Sequence, residues 1–238
     1  MLRTLCHKAW VDTQVRFVFG LVLAIIPACG LVLWFKPDTV ITAPPMTYSE
    51  FIDWQFFSQQ LAQIWCLMTV LLGFGGLNTQ PQFGGGALFT LSLPVSRRQV
   101  LSSRAIVVLL ELLAIAIVPA LTIVVLSPLN GHSYGLGAAL GHAGLLWTGG
   151  AVFYAAAFLL AHAFRQPLAP ALVVGFFLVV MGLRAIYPGL TAYTLAPVVT
   201  GQIYFRDHVF PWTQLLVSVS LSALFFSLAG RAAARRDF

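Results

Sequence analysis

Charge is scarce in this sequence. Only 8% of its 238 residues are Asp, Glu, Lys or Arg, against 59% hydrophobic, a balance that excludes an ordinary soluble globular domain. Lysine occurs only at Lys8 and Lys36, and neither follows a glycine. A phosphate-binding G-x4-G-K-[ST] loop is therefore excluded, and any nucleotide that drives this protein must bind another chain. The three cysteines, Cys6, Cys29 and Cys66, have no spacing that suggests a disulfide framework or a zinc site, and they read as small apolar residues. The five histidines show neither H-x3-H nor H-E-x-x-H spacing, which argues against a metal site and leaves no cofactor to assign to this chain. No internal repeat is visible, and no polar stretch is long enough to fold as a soluble module.

Long apolar runs fill the space that charge leaves. A helix needs about 20 mostly apolar residues to cross the hydrocarbon core, and six runs qualify: residues 17–35, 57–77, 105–126, 136–163, 168–186 and 212–230. The expectation is an all-α, polytopic membrane protein, one domain over residues 1–238. Ten of the 13 basic residues fall at the two ends, in the 78–103 and 164–167 connections or, for Arg104, at the edge of the former, which places both termini in the cytoplasm by the positive-inside rule. Lys36, Arg184 and Arg206 are left for the outside, offset by Asp38, Glu50, Asp53 and Asp207. The net charge of +6 reflects this asymmetry and implies no nucleic-acid partner, since no basic stripe with interleaved aromatics stands outside the membrane. Residues 26–29, Ile-Pro-Ala-Cys, faintly resemble a lipoprotein cleavage site, but the apolar run continues through Trp34, which suits an uncleaved first span.

Two connections carry local structure signals. In the outside loop, Thr47 and Glu50 have capping-box spacing, so the second helix is expected to start near Tyr48. Trp34 and Trp54 mark the interface on either side of this loop. In the inside loop, Phe83, Ala87 and Leu91 recur at helical spacing with Leu88 beside them, and Pro94 ends the stretch. Ser96 and Gln99 then form a second capping box, predicting a helix over 97–126. Its 30 residues span about 45 Å at 1.5 Å each, about 15 Å more than the hydrocarbon core requires, so its start stands proud of the bilayer. A short surface helix hinged by proline onto so long a spanning helix can pass a push from a cytoplasmic partner into the membrane. Before the last span, Pro188, Gly189, Pro197, Gly201 and Pro211 break an apolar stretch, and residues 191–204 fit either a re-entrant hairpin or an outside loop with a surface-lying helix.

Few residues offer chemistry. Residues 131–135, Gly-His-Ser-Tyr-Gly, match the G-x-S-x-G string of serine hydrolases, yet they fall in a turn between two spans where the strand-to-helix elbow cannot form. Glu111 is the one carboxylate inside a span and so attracts a functional hypothesis. It lies two turns beyond Arg104, rather deep for direct pairing. With Gln59 and Gln63, which share a face of the second span, it could line a polar substrate path; hydrogen bonding between helices is the alternative. His142 and His162, twenty residues apart, should sit near opposite faces of the membrane and serve interhelical hydrogen bonding or interface placement. Gly137, Gly141 and Gly144 form a small-residue face expected to serve packing.

The run from Leu91 to Leu101, Leu-Ser-Leu-Pro-Val-Ser-Arg-Arg-Gln-Val-Leu, ahead of a long third span, resembles the permease subunits of type-2 ABC exporters. The similarity extends to the layout of the whole chain: basic N-terminus, six spans, coupling loop, broken outside segment and short basic tail. Where that family often carries acidic residues, this chain has Phe83-Gly-Gly-Gly-Ala-Leu-Phe-Thr. The resemblance implies a cytosolic coupling helix in which Phe83, Leu88, Leu91, Pro94, Arg97 and Arg98 meet a separate ABC ATPase subunit holding ATP and Mg. It also implies a second permease copy or a sister permease, and a place in the plasma (inner) membrane. Arg97 and Arg98 have lipid phosphates as an alternative partner. A non-transporting membrane scaffold or accessory subunit is the competing reading of the whole chain, and a membrane enzyme the third.

Overall fold

Capping chemistry decides where two of the helices begin. The computed structural model describes residues 2–34, 46–73, 96–163, 175, 195–201, 204–205 and 210–234. Thr47 N donates to Glu50 Oε2 at 2.8 Å while Glu50 N donates to Thr47 Oγ1 at 3.4 Å, and the helix starts at Tyr48. Ser96 N donates to Gln99 Oε1 at 3.2 Å, Gln99 N returns a bond to Ser96 Oγ at 3.3 Å, and Arg97–Leu126 follows as one 30-residue helix. Both boxes satisfy amide groups that a helix start leaves without partners.

Every described element is helical. In chain order they are α1 (Leu2–Leu33), α2 (Tyr48–Gly73), α3 (Arg97–Leu126), α4 (Leu136–Ala163), the one-turn α5 (Ala196–Val199) and α6 (Trp212–Ala234). A 3-10 turn over Ser127–Asn130 and a left-handed Gly131 (φ 72°) link α3 to α4. Five of these helices are long and apolar enough to cross a membrane, and the chain is a multi-pass helical membrane protein. The expected sixth span, 168–186, and the Phe83–Pro94 stretch lie outside the described residues.

Some bounds differ from the apolar runs. The first helix begins at Leu2, fifteen residues before the first run, so its basic N-terminal turns and its membrane span are one continuous rod. The central part of α2, Asp53–Leu61, is wound as a π-helix, a rare form in which the backbone bonds skip five residues. Nothing in the hydrophobic pattern signals it.

Interhelical contacts set the directions. Thr13 meets Glu111, and Asn130 Nδ2 donates to Val32 O at 2.5 Å, so α1 and α3 run parallel. Tyr48 bonds Ser127 and Trp65 bonds Leu112, so α2 is antiparallel to α3. Ser218 Oγ reaches Gly149 O at 2.8 Å, and Phe226 packs on both Tyr154 and Phe158, so α6 runs parallel to α4. The starts of α1 and α3 and the ends of α2, α4 and α6 therefore share one end of the bundle, here the terminal end. The 127–135 turn marks the other, the turn end. Trp34 and Trp54 are exposed at that turn end.

Close approach depends on small residues, though on a different set from the one expected. A Cβ on Gly149 would fall 2.6 Å from Val198, and one on Gly150 would fall 2.3 Å from the Trp65 ring. Gly141 touches Phe205, whereas a Cβ on Gly137 or Gly144 would meet no atom within 4 Å among the described residues. Helices α1 and α6 present Val15, Phe19, Ile26, Leu216 and Val219 with half or more of each exposed, apolar surfaces suited to lipid.

Candidate functional site

Polar side chains are buried at two levels of the bundle. The first lies near the turn end, where the π-helical stretch turns Asp53 toward α4. Asp53 Oδ1 accepts from the Tyr134 hydroxyl and, at 3.0 Å, from His142 Nε2. The His142 ring lies between Phe57 (centroids 4.3 Å apart, interplanar angle 6°) and Phe205 (3.4 Å, 11°). Both ring faces are thus covered, and only its edge is free to bond. Ser58, one residue beyond Phe57, has its hydroxyl 2.9 Å from Asp53 O and 3.0 Å from Thr200 O. The second contact ties α2 to the segment before α6.

That segment is held against protein rather than left free. Val198, Val199 and Thr200 are buried, α5 packs on α4 at Gly149, and Gly201 adopts φ 68° beside His142. A Cβ there would fall 2.7 Å from His142 Nδ1, so both the backbone conformation and the close approach require glycine. Tyr48 adds a further link at this end: its hydroxyl is 2.8 Å from Ser127 Oγ, and its ring stacks on His132.

The second level is deeper, at Glu111. Its Oε1 is hydrogen-bonded to Thr13 Oγ1 on α1, while Oε2 is buried without a partner among the described residues. Arg104 Nε and the Tyr154 hydroxyl are likewise buried and unpartnered there. All three groups lie within electrostatic reach of one another. Two indoles brace the same level of α3: Trp65 Nε1 donates to Leu112 O at 3.0 Å and Trp147 Nε1 to Leu109 O at 2.9 Å.

The residues expected to line a path are not gathered into one lining. Glu111 points to α1, Gln63 is exposed on α2, and Gln59 is half-buried within the π-helical stretch. Among the described residues no hydrogen bond joins either glutamine to Glu111. Arg98 is exposed in the first turn of α3; Arg97 opens that helix. Phe83, Leu88, Leu91 and Pro94 lie outside the described residues. Ser133 of the hydrolase-like string is exposed in its turn, and its neighbour Tyr134 holds Asp53, so the string serves structure. Among the described residues no group of three potential metal ligands occurs.

The site at Asp53 escaped the sequence because its members are 81 and 89 residues apart. The available signal was one of three carboxylates in the outside loop, the one nearest the start of a span, and a histidine near the outer end of another.

Helices, polar levels and lipid-facing surface together define a multi-pass helical membrane protein with internal hydrogen-bonded networks. No protein-family model matches the chain, and no curated protein matches it.

Proposed function

We propose that this chain is the permease subunit of an ATP-driven exporter of the type-2 ABC class, in the plasma (inner) membrane with both termini cytoplasmic. It works with a separate ATPase subunit that holds ATP and Mg, and with a second permease copy or a sister permease. The observation that carries this reading is α3. It starts at a capped Ser96 immediately after the 83–95 stretch and continues without a break for 30 residues, about 45 Å against a hydrocarbon core of about 30 Å. A force applied at its first turn reaches Glu111 through helix that contains no proline; Pro119 lies beyond, in the part of α3 that leads to the turn end. The Arg16 guanidinium, donating to Leu71 O at 3.2 Å, joins α1 to the last turns of α2 at the same end.

The directions of the helices support six spans. Because α4 and α6 run parallel, the chain leaves α4 at the terminal end and reaches residues 195–201 at the turn end. Residues 164–194, which include the apolar run 168–186, join the two ends. The packing of residues 195–201 between α2 and α4 supports the re-entrant reading of that segment, since its backbone is shielded by protein.

Two double mutants test the coupling. Leu88→Asp with Leu91→Asp should abolish copurification of the ATPase while membrane insertion stays normal, because losing buried apolar anchors typically costs about 2 kcal/mol or more each. Arg97→Ala with Arg98→Ala reports instead on lipid or partner contacts. The purified chain alone should hydrolyse no ATP. Undiminished copurification and transport from the leucine pair would rule out the 83–95 stretch as the coupling element. A chain that copurifies with no ATPase at all would favour the scaffold reading.

A further inference from the structure

Thr13 and Glu111 share more contacts than one proton can serve. Thr13 Oγ1 lies 3.0 Å from Ala9 O and 3.3 Å from Trp10 O, and it also meets Glu111 Oε1. A threonine hydroxyl has one hydrogen to donate and two lone pairs to accept with. Two assignments follow. With Glu111 ionised, Thr13 donates to Oε1, and the negative charge is left with Oε2 bare. Glu111 is 3% exposed, and among the described residues no ion pair reaches it. A charge held in an apolar interior by one hydrogen bond is strongly disfavoured. With Glu111 neutral, its O–H donates to Thr13 Oγ1, and Thr13 donates back to Ala9 O. Both donors are then satisfied, and only the carbonyl-like Oε2 lacks a partner. The second assignment leaves no charge and no orphaned donor.

We propose that Glu111 is a proton-binding site within the membrane, carrying its proton on Oε1 in the packing described here and releasing it when water reaches Oε2. Release transfers one proton from the carboxyl group to water, and the Thr13 hydroxyl turns from Ala9 O to donate to Oε1. The Tyr154 hydroxyl and Arg104 Nε, both without a partner among the described residues, lie within electrostatic reach of the acid. Arg104 stands seven residues nearer the terminal end, about 10 Å along the helix, so the exchange runs toward that end.

The surroundings define the electrostatics of the release. On α3, Arg104 favours the carboxylate. On α1, Asp12 and Arg16 flank Thr13 and act on Arg104 with opposite signs. On α4 the titratable group is Tyr154. On α2, Trp65 packs at this level beside the buried thiol of Cys66, and α6 meets Tyr154 through Phe226 with no charge before Arg231.

Infrared spectroscopy of the purified full-length chain in lipid nanodiscs reads the proton directly and needs no ATPase, so its outcome is separate from the exporter reading. At neutral pH a C=O stretch of a protonated carboxyl group is expected, shifted in D2O and lost in Glu111→Gln. Thr13→Val keeps the acid but removes its acceptor, so the band should persist at a changed frequency. This variant also serves if Glu111→Gln does not fold. Absence of the band at neutral pH, or no change of frequency in Thr13→Val, would overturn the proposal. So would a band that survives in Glu111→Gln, since the proton would then sit on another group such as Asp53.

Discussion

At the scale of single residues, the bundle discriminates sharply between glycines that look alike in the sequence. Gly150 faces a tryptophan ring that cannot retreat, because Trp65 Nε1 is already committed to Leu112 O. Gly150→Ala should cost about 1–3 kcal/mol, the usual range for overpacking. Gly137→Ala meets no atom within 4 Å among the described residues and should be neutral or stabilising by up to about 1 kcal/mol through helix propensity. Thermal unfolding of the two variants in detergent measures the contrast, and equal melting temperatures would contradict the packing described. The spacing of Gly137, Gly141 and Gly144 pointed to a face, but a face has no meaning until its neighbour is known. Nothing local distinguishes them from Gly149 and Gly150.

Among the elements, α2 has the most unusual construction. Its π-helical stretch places Asp53, Phe57 and Ser58 around His142 and the 195–201 segment. Asp53→Ala removes the acceptor from two buried donors, Tyr134 and His142, and an unsatisfied buried donor costs about 1–3 kcal/mol. A fall in melting temperature is expected, with Asp53→Asn less affected because an acceptor oxygen remains. A cysteine placed at Thr200, which is 2% exposed, should resist a thiol reagent in the parent and react in the Asp53→Ala background; a cysteine that reacts equally in both would separate the segment from this site.

The helix starts at Tyr48 and Arg97 were legible because a capping box needs only four consecutive residues. Equally legible was a polar bond for Glu111 between helices, since a carboxylate inside a span requires one. Its partner was not legible: Thr13 is one of many hydroxyls, 98 residues away. The π-helix was hidden for a similar reason. Its stability rests on contacts with α4 and residues 195–205, and the local sequence has no proline, glycine or charge pattern that marks it.

For the whole molecule, the decisive relation is which ends of the helices lie together. Ser133 is exposed at the turn end and Gln99 at the terminal end. With the native cysteines replaced, a membrane-impermeant thiol reagent should label Ser133→Cys from outside the cell and Gln99→Cys only after the cytoplasmic face is opened. The reverse pattern would invert the orientation that the basic residues imply. Thr200 is buried and is unsuitable as a topology reporter without the Asp53 substitution.

The seating of residues 195–201 has a consequence for how the protein is made. Its seat, built by Ser58, Gly149 and His142, belongs to helices that leave the ribosome well before the segment itself. During synthesis that seat stands empty among lipids, and the ring of His142 has one face bare until Phe205 arrives. Helix α6, bonded to Gly149 O through Ser218, closes the same region later still. A nascent chain cut short after α4 thus carries the polar wall of the turn end with no cover, which is the sort of surface that membrane quality control removes.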